Sequence, residues 1–221
     1  VILMVSDGAG YSTHLSAAHW TGAAEPYDNA NFAKYPVSTY SLRRGAGTLD
    51  SDNQDPSLVY DTAWAWDSTP NTGSGGSSPY YFNGYRWVRT TAPDSAATMS
   101  AMVTGRKVYT GGMNVNGFGK PLVTVAERAK ATGKRVGSIS TVNYHHATPA
   151  AGAGGHSICR SNYLDLSYEL LGAGVADVIG GAGNPEFNDK GVAVAQSTID
   201  ERLATGNRVD APLWSALKSG S

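Results

Sequence analysis

The chain lacks most of the features that would classify it at a glance. It has a single cysteine, Cys159, which rules out an internal disulfide and says little about redox compartment. No stretch approaches the roughly 18 consecutive apolar residues of a membrane span. Basic and acidic side chains nearly cancel, 17 against 18, so there is no positive stripe for nucleic acid. No repeat or heptad pattern is visible. Histidine is scarce too: the five are His14, His19, His145, His146 and His156, and none lies in the last quarter of the chain. The chain opens on an apolar run with no signal-peptide pattern ahead of it, as a mature or trimmed N-terminus would. What is present is 221 residues with 41% hydrophobic content, enough to form the core of one α/β domain.

Thr91-Ala92-Pro93-Asp94-Ser95-Ala96-Ala97-Thr98 is the most informative segment. An acid followed by a serine opens a predicted helix over Ser95–Thr104, and Gly105 supplies its stop. A hydroxyl at a helix N-terminus lies among unpaired N–H groups and the positive end of the macrodipole, a setting that favours an alkoxide and a phosphate bound to it. The same residues also read as an ordinary Asp/Ser cap. Two further segments have strand-to-loop character. Val1–Val5 is a continuous apolar run that predicts a strand buried in a parallel sheet, followed by Ser6-Asp7-Gly8-Ala9-Gly10. Asp7 then falls at a strand's carboxyl end, where open α/β sheets bind ligands, although an isolated Asp there is more often a turn residue. Arg135–Val142 predicts a second such strand, running into Asn143-Tyr144-His145-His146-Ala147-Thr148. Beyond it, Gly155-His156-Ser157-Ile158-Cys159-Arg160 offers a guanidinium suited to gripping a tetrahedral oxyanion.

The rest of the pattern is that of a single α/β unit. Helices are expected at Thr13–Trp20, Pro121–Lys134, Tyr163–Gly172 and about Pro212–Leu217, and strands at Val37–Leu42 and Val175–Gly180. Residues 45–85 read largely as a loop insertion. Its acids Asp50, Asp52 and Asp55 have calcium-type oxygens but read better as a solvated turn. Trp64, Trp66, Tyr80, Tyr81 and Trp87 read as packing beneath that loop, with a substrate mouth or dimer contact as alternatives.

Taken together, Val1–Gly10, Pro93–Thr98, Thr104–Lys107, Val142–Ala150, His156–Arg160 and Ala176–Gly183 resemble the N-terminal half of an alkaline phosphatase, the Asp-Ser-Ala-Ala-Thr element most specifically. The resemblance implies a three-layer α/β/α fold with a mostly parallel central sheet, cut short at the C-terminus, with residues 1–221 forming part of one domain. It implies hydrolysis of phosphate monoesters at alkaline pH through a phosphoserine on Ser95, with two zinc ions and one magnesium. Asp7 matches the acid bridging the second zinc and the magnesium. Ser95 is both nucleophile and zinc ligand, Thr148 is a magnesium ligand, and His146 acts behind the metal. Arg160 matches the phosphate-gripping arginine, and Asp94 the acid that orients it. By the same resemblance the substrates are small phosphomonoesters, the protein is a homodimer, and it is periplasmic or secreted. His145 reads as strand-end packing or as a group behind the site.

One departure stands out. The family's remaining metal ligands lie in its C-terminal half, and none of those motifs occurs before Ser221. The chain is therefore expected to hold about half of a two-zinc site, as a truncated, cleaved or partly sequenced enzyme whose other half is a separate chain or absent. Two alternatives remain beside the phosphomonoesterase: a phosphodiesterase or sulfatase-like hydrolase of the same superfamily, and a noncatalytic fragment. Ser95 within Asp-Ser-Ala-Ala-Thr, together with Arg160, favours monoesters.

Overall fold

Asp61, Asp94, Thr124 and Asp210 each start a helix by accepting a backbone N–H of its first turn. In the computed structural model, which describes residues 1–25, 27–71, 81–172, 174–206 and 208–220, α1 spans Tyr11–Thr21, α2 Thr62–Ala65, α3 Asn83–Thr91, α4 Ser95–Thr104, α5 Val125–Ala131, α6 Ala147–Gly152, α7 Tyr163–Leu171, α8 Gln196–Thr205 and α9 Ala211–Ser219. The two strands are β1, Gly137–Asn143, and β2, Val178–Ala182. The chain divides into two units, Val1–Ser38 and Thr39–Ser221.

In the first unit α1 ends at Gly22, whose φ of 66° is the left-handed conformation that glycine adopts without strain. His14 and Tyr27 meet edge to face at 5.3 Å, and Tyr27 meets Phe32 at 6.4 Å. Val1–Val5 does not form the expected strand, and all five side chains are exposed. A strand is a hydrogen-bonded relation between two segments, and among the described residues nothing pairs with this run.

The second unit holds the parallel pair. β1 and β2 align Gly137 with Val178, Ser138 with Ile179 and Ile139 with Gly180, then shift register before Asn143 meets Ala182. The crossover between them carries α6 and α7. Asp177 fixes the start of both strands: its carboxylate accepts from Lys130 Nζ at 2.6 Å, Val136 N at 2.9 Å and Arg135 Nη1 at 2.7 Å, bonds that hold it far below the usual carboxylate range. The core lies between α4, α6 and α7, where Ala96, Met99 and Val103 bury against Ala147, Ala150, Ala151, Leu166 and Leu170. Alanines on both α4 and α6 let the backbones approach closely. At Gly152 even a methyl group would come within 2.8 Å of Met99 Cε.

Boundaries moved where caps decided them. The helix expected over Pro121–Lys134 is confined to Val125–Ala131, because Thr124 and Glu127 cap each other reciprocally and Thr132 ends the last turn before Gly133 at φ 77°. The expected strands over Arg135–Val142 and Val175–Gly180 lie one to three residues further along. Val37–Leu42 forms no strand: among the described residues, Leu42 N to Val108 O at 2.9 Å and Thr110 Oγ1 to Ser41 Oγ at 3.2 Å join it to residues 108–110, with Thr110 N to Arg43 O at 3.0 Å just beyond it. Within 45–85, the first stretch is built into the second unit. The Arg43 guanidinium donates to the carbonyls of Gly45, Ala46, Thr48, Ser51 and Gly117, and Leu49 packs against Val108, Tyr109 and Val115. Trp64 and Trp66 do not pack beneath the loop but stand exposed, since α2 has only four residues and no buried face, and Tyr81, ahead of α3, is exposed as well. Trp87 is half-buried and meets Tyr60 at 6.1 Å, and the two line an open cleft of about 730 Å³ with Trp64. Tyr80 and the Gly/Ser/Pro tract of 72–80 lie outside the described residues.

Candidate active site

The N-terminus of α4 is organised by one carboxylate. Pro93 presets the approach, and Asp94 follows in an extended conformation with ψ 171°. Asp94 Oδ1 accepts from Ala97 N at 3.1 Å, the N-cap bond that starts the helix. It also accepts from Gly111 N at 3.1 Å, while Oδ2 accepts from Arg160 Nη1 at 3.0 Å. Asp94 thus caps the helix, anchors the loop at Gly111 and holds the guanidinium, all from a half-buried position. Ser95 is the first residue of α4 and is half-buried. Its hydroxyl is carried on the backbone turn whose N–H groups form the positive end of the helix.

Arg160 reaches this point on a strap, Gly155–Arg160. Its main-chain N donates to Gly111 O at 2.7 Å, and Ser157 pairs with Met113 in both directions, at 2.8 and 3.0 Å. Tyr109 hydroxyl donates to Ile158 O at 2.9 Å. Among the described residues Asp94 is the side chain that holds the guanidinium. The fixed pair orients the planar fork rather than burying a charge, and each partner keeps part of its surface exposed.

Thr148 is the second residue of α6 and half-buried, and His146 is the residue before the helix. Ala96 and Ala147, the chain neighbours of Ser95 and Thr148, belong to one buried cluster. His146 lies parallel to Tyr163 at 6.3 Å. His145 is buried, stacked on Tyr163 at 4.6 Å, and among the described residues neither of its ring nitrogens has a hydrogen-bond partner. Burial, and secondarily Arg208 and His146, push its pKa down to about 4, so the ring is neutral at ordinary pH. Asp7 stands in the first unit, exposed on the turn in which Ala9 N donates to Ser6 O at 3.1 Å.

Among the described residues no three His, Cys, Asp or Glu side chains come together as a cation site. Ser95 and Thr148 offer oxygen donors, but the described side chains do not by themselves complete the two-zinc arrangement. Asp52 and Asp55 serve backbone structure: Asp52 Oδ1 ties its loop to residue 117, accepting from Gly117 N at 2.5 Å, and Asp55 Oδ1 accepts from Ser57 N at 2.9 Å. The aromatic cleft contains none of Asp94, Ser95, Thr148 and Arg160. Two residues with no local sequence signal also shape the site. Glu169 binds the start of the Arg160 strap, and Asn114 ties α4, α6 and the strap together; only the tertiary fold brings them there.

The geometry can be set beside known proteins. A family model for alkaline phosphatase matches residues 51–219. Alkaline phosphatase 4 of Bacillus subtilis (strain 168) is 39% identical over 102 residues, which is 44% of this chain and 22% of the relative. The tissue-nonspecific alkaline phosphatase of Rattus norvegicus is 29% identical over 155 residues, 57% of this chain and 29% of the relative. Among solved structures, a cold-active alkaline phosphatase from a psychrophilic Shewanella sp. is similar at 29% identity and a TM-score of 0.40, over 63% of this chain and 29% of that one. The chain therefore spans less than a third of the length of each of these relatives.

Proposed function

Because this chain belongs to the alkaline phosphatase family, whose model matches residues 51–219, we propose that it carries the nucleophile and the phosphate-gripping arginine of a phosphate-monoester hydrolase. The Asp94 junction is the observation that supports this reading: one carboxylate starts the helix that presents Ser95 and holds Arg160 at 3.0 Å. A phosphate monoester dianion repels nucleophiles, so a hydrolase must neutralise it and align the attacking and leaving oxygens. Here the N–H groups at the start of α4 and the Arg160 fork donate to the phosphoryl oxygens. Ser95 Oγ bonds to phosphorus as the bond to the alcohol oxygen breaks. Water then attacks the phosphoserine, releasing inorganic phosphate and restoring the hydroxyl. Asp94 keeps the guanidinium in plane through both steps without touching the substrate.

Two zinc ions and one magnesium, when bound, supply further charge neutralisation and an activated water. In the second unit Ser95 and Thr148 would offer oxygen donors to such ions, with His146 one residue before α6, and Asp7 of the first unit is a further candidate donor by family membership alone. Small phosphomonoesters as substrates, action at alkaline pH, a homodimer and a periplasmic or secreted location belong to the same proposal and rest on family membership.

The test uses the full-length protein that contains this chain. Ser95→Ala should abolish transfer of labelled phosphate from substrate to protein and lower kcat on 4-nitrophenyl phosphate at least about a thousandfold. Unchanged labelling or turnover sinks the assignment, and faster turnover of the diester or sulfate analogue by the wild type redirects it to a sister activity.

A further inference from the structure

The strap that carries Arg160 is tied at its far end by a half-buried ion-pair cluster that neither the capping of α4 nor the Asp94 junction requires. Glu169, on α7, grips His156 twice: Oε2 accepts from the His156 backbone N at 2.7 Å, and Oε1 lies 2.8 Å from ring Nδ1. The other ring nitrogen, Nε2, is 3.1 Å from the carbonyl of Leu122 and 3.8 Å from Glu127 Oε2, on α5. A carbonyl and a carboxylate can only accept, so both ring nitrogens donate and His156 is the imidazolium. Burial opposes that charge, but the hydrogen bonds to Glu169 and Leu122 and the nearby Glu169 and Glu127 carboxylates outweigh it and raise the pKa. Glu169 and Glu127 are the charged groups that face the ring from the two helices packed around it.

We propose that the His156–Glu169 pair is a positioning element for Arg160, setting how the guanidinium meets the phosphate group; the proposal rests on the phosphate-monoester reading above. The strap has a pivot directly beside His156 and is also tied at Gly155, whose O accepts from Asn114 Nδ2 and whose N donates to Ala150 O, each at 2.9 Å, and at Ile158, whose O accepts from the Tyr109 hydroxyl. The pivot is the reciprocal backbone pair between Ser157 and Met113. At one end Arg160 is held by Gly111 O and Asp94; at the other His156 is held by Glu169. Releasing His156 leaves the segment to the remaining bonds, which permit a small tilt about the pivot, and a displacement on the order of 1 Å at a substrate-orienting group costs up to about a hundredfold in kcat/KM. Glu127 already closes the α5 cap through Thr124 N at 2.6 Å and Oγ1 at 2.8 Å, so it adds charge beside the ring without being the clamp itself.

The experiment is done in the full-length, metal-loaded enzyme that contains this chain, with inorganic phosphate and 4-nitrophenyl phosphate as probes. Glu169→Gln is expected to raise KM and the phosphate inhibition constant together, about tenfold, with kcat unchanged or higher because product phosphate leaves faster. His156→Gln, which keeps one donor, should lose less than His156→Ala. Unchanged constants, with or without a lower melting temperature, overturn the proposal and leave a structural brace. Should Glu169→Gln fail to fold, Glu127→Gln preserves the helix cap and removes one of the two negative charges facing the ring; it should raise the same two constants by a smaller factor, and no rise overturns the proposal. If the wild type itself does not bind phosphate, the phosphatase reading fails. If the wild type binds phosphate and the variants match it, only the clamp fails.

Discussion

Asp94 and Asp7 are both acids set beside small residues, and they stand in different physical settings. Asp94 is half-buried, with Ala97 N, Gly111 N and Arg160 Nη1 donating to its two oxygens. Asp7 is exposed on a tight turn that follows an exposed apolar run. The difference lies in how far each segment must reach for its structure. A capped helix is specified within about four residues, because the cap, the first turn and the stop are neighbours in sequence. A strand needs a partner brought from elsewhere, and Val1–Val5 has none among the described residues. Local signals therefore fix the helix that carries Ser95, and around Asp7 they fix the turn and the start of α1 but not a strand.

The sharpest way to break this contrast is to remove what locks the ordered region. Asn114 is fully buried, with a left-handed φ of 48°. Its Nδ2 donates to Ala151 O and Gly155 O, each at 2.9 Å, and its backbone N donates to Ser100 Oγ at 2.8 Å. Asn114→Ala leaves two buried carbonyls without their donor and places a methyl-bearing residue in a conformation that favours Asn or Gly. A loss of about 4 kcal/mol is expected, read as a lower denaturant midpoint at constant m. Asn114→Gly should recover only the backbone part. A loss below about 1 kcal/mol would mean that α4, α6 and the strap are held together by packing alone.

His145 tests the same region from its weakest point. Its folded pKa, about 4, lies below the ordinary histidine value of 6.5. Between those values the unfolded chain binds the proton and the folded chain does not, so stability falls as pH drops through that window and is fully present above it. The loss amounts to about 3 kcal/mol by pH 4. His145→Phe keeps a ring between Tyr144 and Tyr163 and should flatten that part of the profile. An unaltered slope would assign the acid sensitivity to other groups.

How much of this was legible beforehand follows the same division. The run from Asp94 through Gly105 reads directly: acid cap, alanine-rich turn and glycine stop all lie within twelve residues, and the helix has those ends. The Asp94–Arg160 pair spans 66 residues and was readable only through resemblance to a family. Glu169 could not be found at all. Nothing about a glutamate on the half-buried side of α7 distinguishes it from a solvated one until the fold sets His156 against it. The strand over Arg135–Val142 shifted by one or two residues because Asp177, far along the chain, decides where the ladder begins. The aromatic residues misled for a related reason: indole rings signal burial only when an element of adequate length presents them to a core, and α2 has a single turn.

The smallest expected effect bears on the exposed end. Leu3 lies in the middle of the apolar run and is 58% exposed. In the 221-residue chain, Leu3→Ser removes a side chain that buries little surface, so the unfolding midpoint should move by less than about 0.5 kcal/mol. The corresponding change in the full-length protein is the informative one. If additional strands pair with Val1–Val5 there, the run becomes a buried central strand and the same substitution costs about 2–3 kcal/mol, the transfer of a leucine side chain plus an unfilled cavity. A large loss in the short chain would mean that Leu3 is already packed and that the contrast with Asp94 does not hold. A negligible loss in both would mean that the run never enters a sheet, which would remove the strand end on which Asp7 is proposed to present its carboxylate to the metals.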